Sequence, residues 1–193
     1  ASLALITRPG APSRRPEVPP VATALRAPVT RQVGMDDDPD ATLDGGDVLR
    51  VGDTFLVGLS ERTNQAGADA LARAARPLGL SVRAVAVGEG LHLKSVVTLC
   101  APGCAVILAG APGQDALRAL GVRCLEVDEP AGANVLALGA VVLVSSAAPR
   151  TAARVAREPG LDVRTIDVSE LHKGDGALTC LSLRVPLAGA WCA

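Results

Sequence analysis

Apolar residues along this chain fall into short runs, each closed by a glycine-bearing turn and followed at intervals by an amphipathic stretch. From Val48 the pattern predicts a strand over Val48 to Val51, a Gly52-Asp53 turn, a strand over Thr54 to Val57, a helix over about Gln65 to Pro77 and a strand over Val82 to Val87. The same order returns as strands Val96 to Leu99 and Ala105 to Leu108 around a Pro102-Gly103 turn, a helix near Gln114 to Leu120 and a strand Cys124 to Val127. It returns again as Val135 to Leu138, a Gly139 turn, Val141 to Val144, a helix Arg150 to Glu158 and Val163 to Ile166. Three ββαβ units thus open at positions 48, 96 and 135, and one loop insertion around His92 accounts for the uneven spacing. Repeats of this size imply a pseudo-symmetric arrangement in which each module supplies one blade around a shared centre. The competing architecture is an open α/β sheet with hairpins; the recurrent hairpin turns argue against a purely parallel, doubly wound sheet.

The N-terminal stretch reads as a strand Leu3 to Ile6, a short helix Val21 to Arg26 after Pro19-Pro20, and a strand Thr30 to Val33. That is a ββαβ unit without its opening strand. The chain starts at Ala1 rather than methionine, so a missing upstream segment is expected. We expect one domain over residues 1–193, with modules at about 1–40 (partial), 41–90, 91–130 and 131–193, and a last apolar strand over Cys180 to Val185.

Composition narrows the partners. With 49% hydrophobic and 20% charged residues the chain has the makeup of a globular protein. Its net charge of −1 gives no field for nucleic acid or an anionic membrane, and one Phe, one Trp and no Tyr leave little to stack on bases. The apolar run Val135 to Val144 is interrupted by Gly139 and falls short of the roughly 20 residues of a spanning helix. The first ten residues lack the marks of a signal peptide, so a cytoplasmic location is expected. Five cysteines, an odd number, favour reduced thiols over a disulfide framework. A small molecule is the expected partner; the sequence says nothing of oligomeric state.

Among these residues Cys180, His92 and Asp44 make up a set of thiol, base and carboxylate. Cys180 follows the loop Lys173-Gly174-Asp175-Gly176, where it reads either as an accessible nucleophile or as a small buried hydrophobe. His92 lies in a loop after Gly88-Glu89-Gly90, where binding and catalytic groups concentrate, whereas His172 reads as solvent-exposed on a short polar helix. In Asp44-Gly45-Gly46-Asp47 the glycine pair lets another group approach closely and one carboxylate point to a site, or it is a plain turn with Asp47 capping the loop. Arg62, between a strand end and a helix start, and Arg14-Arg15 suit bidentate capture of a carboxylate, or serve the surface. Asp36 to Asp40 lacks the spacing of a calcium loop and reads as a solvated connection, and Cys100-Ala-Pro-Gly-Cys104 reads as a β-turn rather than half of a zinc site. Metal binding through Cys180 and His92 is a weaker reading. Neither a phosphate-binding nor a dinucleotide-binding glycine motif appears.

Five stretches in order, Leu5-Ile-Thr-Arg-Pro-Gly-Ala-Pro-Ser-Arg-Arg15, Ala41-Thr-Leu-Asp-Gly-Gly-Asp-Val48, Val57-Gly-Leu-Ser-Glu-Arg-Thr-Asn-Gln65, Gly90-Leu-His-Leu-Lys-Ser95 and Asp175-Gly-Ala-Leu-Thr-Cys180, strongly resemble the dimethylarginine dimethylaminohydrolases. The resemblance implies the α/β propeller (pentein) fold of five ββαβ modules, here incomplete at the N-terminus. It implies Cys180 as nucleophile, His92 as general acid and base, and Asp44 as the carboxylate orienting His92. Arg14 and Arg62 would bind the substrate's α-carboxylate, and Asp175 with the backbone of Gly174 its α-amino end; position 174 is usually larger in the family. The implied reaction takes asymmetric dimethylarginine or monomethylarginine to citrulline and an amine, with no metal or organic cofactor. In the family the carboxylates that clamp the guanidinium, and a lid loop, lie upstream of the position of Leu3, so the chain alone is expected to be weakly active or inactive. Two alternatives stand beside this reading: an arginine deiminase-like hydrolase, and a non-catalytic regulatory or interaction protein that keeps the fold.

Overall fold

The computed structural model describes residues 3–35, 38–88 and 91–185. They gather into two compact units, one formed by the chain up to Ala86 together with Arg184 and Val185, the other by Val87 to Leu183. Asp36 and Asp37 of the acidic connection, Glu89 and Gly90 of the loop before His92, and Cys192 lie outside the described residues.

In the first unit β1 (Leu3–Leu5) pairs in parallel with β2 (Arg31–Val33), joined through a 3-10 turn over Pro12–Glu17 and helix α1 (Val18–Ala24). α1 starts before the two prolines expected to precede it. Pro19 and Pro20 occupy its first turn, where an N–H would have no intrahelical partner. A complete ββαβ module follows: β3 (Val48–Val51), β4 (Thr54–Leu59), α2 (Gln65–Ala75) and β5 (Ser81–Ala86), in the sheet order β3-β4-β5. β3 and β4 are antiparallel, with Val51 opposite Thr54 across the predicted Gly52-Asp53 turn, and β4 and β5 are parallel. The Asn64 Oδ1 caps α2 by accepting the Gly67 N–H (2.9 Å) and also accepts the Thr42 N–H (3.1 Å), so the helix start is tied to the segment just before Asp44. Beneath it lie Met35, Ala41, Leu43, Val57, Ala68 and Leu71.

In the second unit the one-turn helix α3 (Leu93–Val96) leads into β6 (Val97–Ala101), β7 (Cys104–Leu108), α4 (Gln114–Ala119) and β8 (Arg123–Val127). A last module follows: β9 (Leu136–Leu138), β10 (Val141–Ser145), α5 (Pro149–Val155) and β11 (Asp162–Ile166). Both sheets repeat the order seen above, an antiparallel hairpin followed by a parallel strand reached through a helix. The core is aliphatic and small, with Val106, Val127, Val135, Val142, Val144 and Val155 packed among alanines and cysteines. α6 (Ser169–His172) and a 3-10 turn (Leu178–Leu181) close the unit.

Two local expectations are corrected. Val96 ends α3 rather than opening a strand, because Leu93 and Val96, three positions apart, are both buried and fix a helical turn. Cys180 to Val185 is not a strand: Cys180 lies in the 3-10 turn and residues 182–185 have no regular structure. There the Cys180 N–H donates to the Ala177 carbonyl (3.1 Å) and the Thr179 N–H to the Asn134 side chain (3.0 Å), so the backbone donors are satisfied without a ladder. Among the described residues no helix is long and apolar enough to cross a membrane.

Candidate active site

Asp44 stands at the head of a 3-10 turn over Gly45–Asp47 in extended conformation. Its N–H donates to Thr63 Oγ1 (3.0 Å) and its Oδ1 accepts the Gly10 N–H (3.0 Å). The second carboxylate of the motif, Asp47, is fully buried and accepts the hydroxyls of Ser60 (2.8 Å) and Thr63 (2.7 Å). Ser60 Oγ in turn accepts the N–H groups of Arg62 (3.0 Å) and Thr63 (3.2 Å). The Asp44 turn and the loop carrying half-buried Arg62 are therefore one hydrogen-bonded body. Gly10 lies flat on it: a Cβ there would come within 2.4 Å of the Arg62 carbonyl oxygen. The Asp47 side chain takes the hydroxyls of the 60–63 loop, while its backbone N–H closes its own turn on the Asp44 carbonyl (2.9 Å). Arg14 sits on the 3-10 turn that follows, exposed, with its guanidinium 2.8 Å from Glu17. The hydrogen bond from Arg14 holds the Glu17 carboxyl below its ordinary range, an interaction the sequence reading did not foresee.

In the second unit His92 heads α3, half-buried, its backbone carbonyl accepting the Ser95 N–H (3.0 Å). Cys180 is an exposed free thiol. Two residues before it, Leu178 belongs to the wall of a cavity of about 460 Å³, which Leu91, Asn134, Ser145, His172 and Asp175 also line. Asp175 adopts a left-handed backbone (φ 56°), which aspartate tolerates better than most side chains, and its N–H donates to the His172 carbonyl (3.2 Å). The N–H groups of Gly174 and Gly176 both donate to the Leu171 carbonyl (3.0 and 2.9 Å), so the backbone group of Gly174 suited to an ammonium is its carbonyl. His172 is half-buried in the cavity wall, not solvent-exposed as its polar neighbours implied.

The structure thus brings Asp44, Arg62 and the Arg14 turn into one unit, and His92, Cys180, Gly174 and Asp175 into the other. Sequence reasoning passed over Asn134, whose buried amide bonds both to Lys94, two residues past His92, and to Thr179, the residue before Cys180. Its only signal was an asparagine at the mouth of an apolar run. Among the described residues no three histidine, cysteine, aspartate or glutamate side chains cluster as a metal site requires.

Residues 12–100 match the family model for arginine deiminase. The N(G),N(G)-dimethylarginine dimethylaminohydrolase of Streptomyces coelicolor is 43% identical over 185 residues, which cover 95% of this chain and 69% of that protein. Its Pseudomonas aeruginosa counterpart is 31% identical over 181 residues, 94% of this chain and 70% of that one. A solved structure of the Pseudomonas aeruginosa enzyme, a cysteine-to-serine mutant complexed with citrulline, aligns with a TM-score of 0.85 and 29% identity over 95% of this chain and 71% of that one. The fold is the α/β propeller (pentein), and its carrier here is a hydrolase acting on C–N bonds of amidines. Within that class the chain belongs to the dimethylarginine dimethylaminohydrolase family.

Proposed function

We propose that the protein hydrolyses Nω-methylated arginines, asymmetric dimethylarginine and monomethylarginine, to citrulline and dimethylamine or methylamine. The observation that carries this reading is Cys180, an exposed free thiol just past the wall of a cavity of about 460 Å³, in a chain 43% identical to a dimethylarginine dimethylaminohydrolase over 95% of its length.

A guanidinium is resonance-stabilised and cationic, hence a poor electrophile, and a thiolate is the side-chain nucleophile suited to it. In the proposed reaction the Cys180 sulfur attacks the central guanidinium carbon, giving a tetrahedral adduct. The C–N bond to the methylated nitrogen then breaks with proton delivery from His92, releasing the amine and leaving a covalent S-linked thiouronium. His92 next takes a proton from water, which attacks the same carbon; the C–S bond breaks, citrulline leaves and the thiol is restored. Asp44 is the carboxylate assigned to orient His92. Arg14 and Arg62 bind the α-carboxylate, and Asp175 with the Gly174 carbonyl the α-ammonium, ion pairs that match charge to charge. The pairing of Arg14 with Glu17 is an exposed one, and such pairs yield readily to a competing carboxylate.

Citrulline release from asymmetric dimethylarginine tests the proposal. Cys180→Ser should lower it at least about 10³-fold, as loss of a covalent nucleophile does, and should abolish the mass adduct left by a haloacetamidine. Citrulline formation that survives in this variant overturns the covalent route. Turnover of unmethylated arginine at a comparable kcat/KM would instead favour a deiminase, a reading supported only over residues 12–100.

A further inference from the structure

Asn134 is 6% exposed and sits two residues before β9, on a backbone held from both sides. The buried Thr98 hydroxyl donates to the Ala133 carbonyl (2.7 Å) and accepts the Val135 N–H (2.9 Å), so the asparagine's Cα is fixed to β6. From that fixed point the side-chain amide reaches two separate segments. Its Nδ2 donates to the Lys94 carbonyl (2.7 Å) and to Thr179 Oγ1 (2.9 Å), and its Oδ1 accepts the Thr179 N–H (3.0 Å). The partners settle the amide's orientation, since a carbonyl only accepts and a backbone N–H only donates. They also require an amide. A carboxylate keeps the bond from the Thr179 N–H but turns an acceptor toward the Lys94 carbonyl, and alanine keeps neither.

Lys94 lies two residues past His92, and Thr179 directly precedes Cys180. We infer that Asn134 is a positioning residue, which sets the Cys180 thiol relative to His92 by binding the backbone of both segments to one buried amide. The inference rests on the hydrolase reading for the roles of the two groups it positions. It explains why the Thr179–Cys180 segment forms a turn rather than a strand: the Thr179 N–H and hydroxyl are both committed to Asn134. Three hydrogen bonds of 2.7 to 3.0 Å on a buried side chain suit this task, because a catalytic group displaced by about 1 Å loses about 10²-fold in rate.

The test is carried out on the full chain with Asn134→Asp, Asn134→Ala, Thr179→Val and Thr179→Ser, with His92→Ala as the reference for a thiol lacking its imidazole. The rate of alkylation by iodoacetamide is followed against pH at the Cys180 peptide by mass spectrometry, alongside kcat and KM for dimethylarginine and the thermal unfolding midpoint. We expect both Asn134 variants to shift the alkylation profile toward that of His92→Ala. We also expect kcat to fall about 10- to 100-fold while KM changes less than about threefold. Thr179→Val, which removes only the hydroxyl partner, should move both readouts in the same direction by a smaller amount, and Thr179→Ser should restore them. Thr179→Val carries the test should Asn134→Ala fail to fold. Folded variants with the parent's alkylation profile and kcat overturn the inference, as does a His92→Ala profile identical to the parent's. A profile that responds as expected in a chain that makes no citrulline leaves the positioning role standing and counts against the hydrolase reading only for residues 1–193 on their own, the outcome that loss of the upstream carboxylates predicts.

Discussion

Gly10 is held where no side chain fits, since a Cβ would stand 2.4 Å from the Arg62 carbonyl oxygen and 2.5 Å from its Cα. Both obstacles are backbone, which cannot swing aside as a side-chain end does. Gly10→Ala should therefore cost about 1 to 3 kcal/mol, the range for overpacking, and raise KM for the methylarginine more than it lowers kcat, because Arg62 is the neighbour displaced. Urea denaturation and steady-state kinetics check the two parts; an unchanged unfolding midpoint contradicts the first. At this scale the sequence was partly legible. The Asp44-Gly-Gly-Asp47 motif stood out, but not which carboxylate is buried, since the hydroxyls that fill Asp47 come from Ser60 and Thr63, 13 and 16 positions further on. Asn134 was silent for the same reason: its partners lie 40 and 45 positions away.

Helix α5 shows the same limit one level up. Its periodicity announced a helix near Arg150, yet its N-cap position, Ala148, offers no side-chain oxygen. The cap comes from Glu129, whose carboxylate accepts the N–H groups of Thr151 (2.6 Å) and Arg150 (3.2 Å) and the Thr151 hydroxyl (2.8 Å). Burial pushes this carboxyl up, but the Thr151 and Arg150 hydrogen bonds outweigh it, and the group sits below its ordinary value of 4.5. A depressed folded-state value means that the carboxylate stabilises the fold above the unfolded glutamate's range, and that this is lost as pH falls through the folded value. Glu129→Gln, which imitates the protonated acid, should lower stability by about 1 kcal/mol at pH 7. The gap should close as pH drops below about 4. Urea unfolding at a series of pH values measures it, and a gap that does not narrow at all as pH falls below the unfolded glutamate range contradicts the assignment. The strand expected over Cys180 to Val185 failed for a related cause: an alternating apolar run specifies a strand only where an edge is available to pair with it, and here the donors of Thr179 and Cys180 are taken by Asn134 and Ala177.

Across the whole chain the recurrence of hairpin, helix and parallel strand was legible because each module carries its own signals, period-two runs, a turn glycine and an amphipathic helix, within about 40 residues. The thiols are governed by where that repeat places them. Cys100, on β6, is fully buried, and burial, followed by the adjacent Cys104, raises its thiol to about 12. Burial also raises half-buried Cys124, whereas Cys180 is exposed. The thiolate is the reactive form, so at pH 7.5 iodoacetamide should modify Cys180 in the folded protein and reach Cys100 only along the urea unfolding transition. The same buried thiol predicts alkaline destabilisation. The unfolded Cys100 ionises near its ordinary 9.0 while the folded one keeps its proton, so its contribution is intact below about 9 and falls away as pH rises toward about 12. Cys100→Ala should flatten that part of the stability profile. Peptide mass mapping across the denaturant series decides the matter: native-state labelling of Cys100 as fast as that of Cys180 would mean that the buried β6–β7 hairpin opens far more readily than its hydrogen-bonded ladder permits.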